Sequence, residues 1–246
     1  MPDDVTVEEA VVPETRTERP TAARVARRAL VVAALAWRAH LESRRTPAGA
    51  AAVAHARACE WARRHRLLEE MEPEELHLFE AVPGTLGEIE ALNLGWAVEG
   101  AAVLAWALGK APLPPHDSPV DGAALGIALV LFAKAPAALD APVLAGLDEL
   151  ERMRDRLFAV LWRVRGFLVE PGPFDFATYA RVSGFGDLEE EGIAVAEGDL
   201  AVRGAALSRT TNELVQRTHS IAMERFRAVE WICGASPLWS KVEVTT

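Results

Sequence analysis

The chain has 246 residues, 50% of them hydrophobic and 25% charged, which is enough apolar material for a sizeable core and excludes wholesale disorder. Its 36 acidic and 26 basic side chains give a formal net charge of −10, which disfavours general binding to phosphate backbones and favours solubility. The two cysteines, Cys59 and Cys233, form no CxxC pair, so neither a disulfide framework nor a zinc finger follows and a reduced, cytoplasmic setting is expected.

Residues 1–20 are acidic, contain Pro13 and Pro20, and read as a mobile tail; residues 21–246 read as a single, mainly helical domain. Thr21 is the expected N-cap of a first helix running to about Ser43, with Val25, Val32, Leu35 and Trp37 as apolar positions. Pro47 opens a second helix, expected to reach about Met71, and Pro73 a short third one ending near Ala81. Pro83–Gly84 breaks the chain before a hydrophobic helix from about Leu86 to Leu108, stopped by Gly109 and the prolines at 112–115. Residues 121–134 read as a short buried helix. The clearest amphipathic helix follows over about 142–169, where Leu147, Leu150, Leu157, Leu161, Val164 and Leu168 recur mainly at helical steps.

Past Pro171 the sequence predicts irregular structure to about Glu191. A β-hairpin near 192–204 follows, with Ile193 and Val195 on one arm, Leu200 and Val202 on the other, and Glu197–Gly198 as the turn. The last helix is expected to start at Thr210, with Glu213 completing a capping box, and to end at Gly234. The fold class is therefore all-α, six to seven helices in orthogonal or bundle-like packing with one small hairpin. Strands do not alternate with helices, which excludes a Rossmann or barrel fold.

Charge is unevenly spread. Residues 16–66 carry twelve Arg against Glu18, Glu42 and Glu60, whereas residues 69–99 carry nine Glu and no Lys or Arg. The expectation is that these stretches face each other in the fold, the alternative being that the Arg-rich stretch binds an anion or an acidic partner. A membrane span is not expected. Ala91 to Gly109 is long enough, but Glu99, Gly95 and Gly100 mark it as a buried helix of a soluble protein. The apolar run Ala29 to Trp37 follows a leader rich in Asp and Glu, unlike a signal peptide.

Catalytic signatures are missing: there is no GxxxxGK[ST], GxSxG or HExxH, and Gly184-Phe185-Gly186 reads as a turn. His55 and Cys59 share one helical face, and Glu74 and His77 form a single Glu-x-x-His, but neither supplies a full metal site. No catalytic residue, metal or cofactor is expected. The remaining candidates are polar residues among tryptophans. Glu99 lies between Trp96 and Trp106 on the most hydrophobic helix, and a carboxylate there needs a partner. Arg225, beside Glu224 on the last helix, is the expected one. The two readings are a buried ion pair that fixes helix register, and a polar pocket lined by Trp96, Trp106, Trp231 and Trp239.

Three stretches together resemble a bacterial family known as domain of unknown function 4272. They are Arg28-Ala-Leu-Val-Val-Ala-Ala-Leu with Leu41-Glu42, then Trp96-Ala-Val-Glu-Gly-Ala-Ala-Val-Leu-Ala-Trp-Ala-Leu-Gly109, and Ile221-Ala-Met-Glu-Arg-Phe-Arg-Ala-Val-Glu-Trp-Ile-Cys-Gly234 followed by Trp239 and Val242. Gly198-Asp-Leu-Ala-Val-Arg-Gly204 is similar as well. The resemblance implies a mostly helical, cytosolic bacterial protein and no particular reaction. Glu99, Glu224, Arg225 and Trp231 match it, whereas Phe226 stands where His is expected and Glu230 where Asn is expected. Ser240, Lys241 and Thr245 replace acids. The expected function is a non-catalytic protein-interaction module, an assembly component or toxin-immunity type partner, with homo-oligomers allowed and no nucleic acid or membrane bound. The alternative is an enzyme or small-ligand sensor using the Glu99–Arg225 region.

Overall fold

The structure, a computed structural model, describes residues 18–42 and 47–245. The tail expected over 1–20 lies, as far as residue 17, outside the described residues. Among the described residues eight α-helices and a small three-stranded antiparallel sheet are formed, so the mainly helical class expected from the sequence holds with more helices than counted.

Four helices make the frame. They are α1 (Ala22–Leu41), α4 (Glu88–Ala107), α6 (Leu147–Val169) and α8 (Asn212–Ile232). α1 packs along α4, α4 along α8, and α8 along α6. α1 begins as its sequence demands, with the Thr21 hydroxyl accepting from Arg24 N at 3.3 Å. α1 and α4 form the most tightly packed pair of the frame, and nearly every residue from Val25 to Leu35, and from Glu99 to Ala105, is buried. A stretch buried all round carries an apolar surface all round, as Ala101–Ala105 does, whereas the first turns of α4 are exposed, with Ile89 at 75% and Leu92 at 61%.

The shorter elements depart from expectation for local reasons. α2 (Ala48–Arg64) stops well before Met71, because Arg66 takes a left-handed conformation (φ 57°) and a 3-10 turn, Leu67–Glu69, follows. α3 (Pro73–Glu80) starts at its proline, with the Glu75 carboxylate accepting from Glu72 N at 2.9 Å. α5 (Gly122–Leu129) is shorter and less buried than the sequence predicts. Val130 and Phe132 adopt positive φ, only Leu125 and Leu129 are buried, and Ile127 is 79% exposed. α6 begins at Leu147, later than expected, because residues 142–146 form no helix and Ala145 N is bound to Ala107 O at 2.8 Å. α7 (Phe176–Ser183) forms where irregular structure is expected; Asp175 caps it at Thr178 N, 3.0 Å. α8 is capped by Thr211 rather than Thr210, whose hydroxyl instead donates to Ala206 O.

The expected hairpin is formed by β1 (Val195–Ala196) and β2 (Asp199–Val202), paired Val195 to Leu200 and turning at Glu197–Gly198. A third strand, β3 (Ala205–Ala206), pairs with β2 across Arg203–Gly204. Both turns place two successive residues at positive φ, 53° and 80° then 55° and 80°, the geometry of primed hairpin turns. Every residue of β2 is buried, Asp199 included, which Arg163 holds at 2.6 and 2.7 Å.

The two oppositely charged stretches do face each other. Arg24 bonds Glu70 at 3.2 Å, Arg28 pairs with Glu75, and Arg63 reaches Glu80 at 3.4 Å.

Candidate functional site

Glu99 and Arg225 meet as the sequence predicts. α4 and α8 bring the two side chains together at 0% and 1% exposure, with Arg225 Nη2 2.8 Å and Nε 2.9 Å from Glu99 Oε2. Burial pushes the Glu99 carboxyl above its ordinary value, opposed by the Arg225 charge and by Val120 N, which donates to Oε1 at 2.8 Å. The guanidinium spends its other hydrogens on the chain between α4 and α5. Nη1 donates to Pro114 O at 2.8 Å and Pro115 O at 3.0 Å, and Nη2 to Ser118 O at 2.9 Å. Every nitrogen of the Arg225 guanidinium is thus engaged. This is the geometry of a clamp that fixes the proline-rich connection onto the α4–α8 pair.

The predicted tryptophans separate. Trp231 is fully buried, in edge contact with Trp239 at 5.8 Å between ring centres, and lies under the Arg24 guanidinium at 5.1 Å. Trp239 is nearly buried and carries Arg28 over its ring at 4.9 Å. Trp106 packs against the core and lines none of the clefts described below. Of the seven predicted residues, Trp96, Glu224 and Trp239 border one open cleft.

That cleft has a volume of about 560 Å³ and lies between α3, α4 and α8, floored by Val32, Leu35, Leu78 and Met223. Its polar walls are Glu74 and Glu75 from α3, Glu90 and Asn93 from α4, and His219, Ser220, Glu224 and Arg227 from α8. Burial raises the Glu224 carboxyl, countered by Arg227 at 2.6 Å. Burial and the Arg165 charge lower His219. His219, Met223 and Arg227 recur at steps of four along α8, a spacing that puts them on one face. That periodicity was the signal for this wall, although no motif marks it.

A second, apolar groove of about 770 Å³ runs between α1, α4 and α5. Trp37, Val98, Leu125, Leu131 and Phe132 line it, and His40 is its one titratable side chain. Trp37 and Phe132 meet edge to face at 4.5 Å, and Trp61 backs Phe132 at 5.0 Å. The positive φ of Val130 and Phe132 turns the chain after α5 back towards α1 and so shapes this groove.

The other sequence candidates are structurally engaged. His55 Nε2 lies 2.7 Å from Phe79 O and 3.4 Å from Cys59 Sγ, and burial raises the Cys59 thiol, so the sulfur is no activated nucleophile. Among the described residues no three His, Cys, Asp or Glu side chains are placed to hold a metal ion. Among them, too, no helix is long and apolar enough to cross a membrane.

No curated protein and no solved structure matches the chain. Residues 4–173 match one family model, which covers the Arg28–Leu35 and Trp96–Gly109 stretches and ends ahead of the sheet and α8. By that match the chain belongs to the family described as "Domain of unknown function (DUF4272)".

Proposed function

We propose that this protein is a cytoplasmic, non-catalytic interaction module that docks the apolar face of a partner protein's helix in the groove between α1, α4 and α5. The observation that carries this reading is the groove itself. Its walls are aliphatic and aromatic, and α5 beside it presents a large exposed aliphatic side chain, Ile127, at 79%. Contiguous exposed apolar surface of this kind marks docking sites in soluble proteins, and a groove between helices suits an amphipathic helix. The engaged state of Cys59, His55, Glu99 and Arg225 supports a binding rather than a catalytic role.

A photo-crosslinking residue at Ile127, with the same residue at the still more exposed Val169 as control, tests the reading in the source cells. One crosslinked partner at position 127, absent at 169 and lost on Val98→Glu, is the expected outcome. A crosslink to a second copy of the chain, with a dimer in light scattering, assigns the groove to self-association instead. Equal, diffuse labelling at both positions removes the groove as a docking site.

A further inference from the structure

The cleft between α3, α4 and α8 uses a different face of α4 from the apolar groove and has its own chemistry. At about 560 Å³ it is of the size of small-molecule sites, and its floor of Val32, Leu35, Leu78 and Met223 suits an apolar stem. Among the described residues the Trp96 indole makes no ring contact or hydrogen bond, and the Asn93 amide and His219 imidazole make no hydrogen bond. An indole, an amide and an imidazole without hydrogen bonds thus line one concavity beside its apolar floor.

Charge then selects what fits. Glu75 is matched by Arg28 and Glu224 by Arg227, whereas Glu74 and Glu90 have no basic partner among the described residues. Glu90 is engaged only as an acceptor for Gly87 N at 2.8 Å. Anions are repelled here. A cation gains from both carboxylates and from the face of Trp96, the best aromatic acceptor for an ammonium group.

We propose that this cleft binds a small organic cation, an ammonium group on an aliphatic stem, held by Trp96, Glu74 and Glu90 with its stem on Leu78 and Met223. The site is independent of the apolar groove, so Ile127→Glu leaves it intact.

Titration of the full chain with 1,5-diaminopentane, read by calorimetry and tryptophan fluorescence, tests this, with 1,5-pentanediol as the uncharged control. The expected result is one saturable site for the diamine, with the diol weaker by roughly tenfold. Glu74→Gln, at an exposed side chain without a structural partner, weakens the diamine several-fold and leaves the diol unchanged. Trp96→Leu weakens the diamine by roughly tenfold while unfolding remains cooperative. Diol binding as tight as the diamine, a diamine isotherm unchanged in both variants, or no saturation below about 10 mM overturns the proposal.

Discussion

The Glu99–Arg225 pair shows how much a single buried contact can organise. Arg225 closes a ring of acceptors drawn from α4 and from three carbonyls of the chain before α5. Removing one member leaves the other charge buried and unmatched, so Arg225→Met is expected to cost about 3–5 kcal/mol and to expose the 110–121 connection to proteolysis. Glu99→Gln costs less, because the amide keeps an oxygen for Val120 N or for the guanidinium. The double variant is expected to lose less than the sum of the singles, and urea titration of the four proteins measures that coupling. Additive losses would mean that the two side chains act separately. The pairing itself was legible in the sequence, since a lone carboxylate amid apolar residues demands a cation. The three carbonyl acceptors were not, because backbone groups leave no mark on residue identity.

His116 is the second buried polar group on this connection. It is 5% exposed, with Nε2 2.7 Å from Ala201 O on β2. Burial lowers its pKa from 6.5, opposed by that carbonyl and by the neighbouring Asp117 charge, while Arg156 and Arg225 add to the lowering. A depressed folded value means that the unfolded chain binds the proton more readily. The contribution to stability is therefore complete above 6.5 and is lost as pH falls through the folded value. His219 is lowered too and adds in the same sense. His116→Gln is expected to flatten the decline of the urea midpoint between about pH 7 and pH 5. An unchanged slope would assign the acid sensitivity to other groups.

At the scale of elements, the long helices and the first hairpin were readable because each rests on local patterning: Thr21 capping α1, the leucine spacing of α6, Glu197–Gly198 turning the strands. The failures have tertiary causes. α6 starts late because Ala107 O captures Ala145 N, and β2 lacks alternation because Arg163 buries Asp199 from the side expected to face water. Gly100 is a further example. A Cβ there would stand 3.1 and 3.3 Å from the Trp239 ring and 3.4 Å from Glu224 O, so glycine is what lets α4 approach α8 and the C-terminal turn. Helix propensity favours alanine at this position by about 1 kcal/mol, whereas overpacking costs about 1–3 kcal/mol. Gly100→Ala is therefore expected to lower stability by about 1 kcal/mol in thermal unfolding. A gain would show that Trp239 moves aside freely.

On the scale of the whole molecule, part of the charge asymmetry of the sequence is matched internally. Arg24 and Arg28 of α1 are used against Glu70 and Glu75, Arg38 against Glu42, and on the surface of α2 and its following turn the exposed Arg63, Arg64 and Arg66 each sit by a glutamate: Glu80, Glu60 and Glu69. Such exposed pairs add little stability, but each cancels a charge that a polyanion would need. Only nearest neighbours are cancelled this way, and the remaining excess is acidic, −10 over the chain. Two clefts differing sharply in character then flank α4, one apolar and one edged by unmatched glutamates. The consequence is directional. The protein is expected to pass through a heparin column even at low ionic strength, where screening is weakest and any cationic patch would be strongest. Retention that fell steeply with added salt would mean that the arginines of α2 leave their glutamates for a polyanion. The Arg63→Ala, Arg64→Ala double variant would then abolish it.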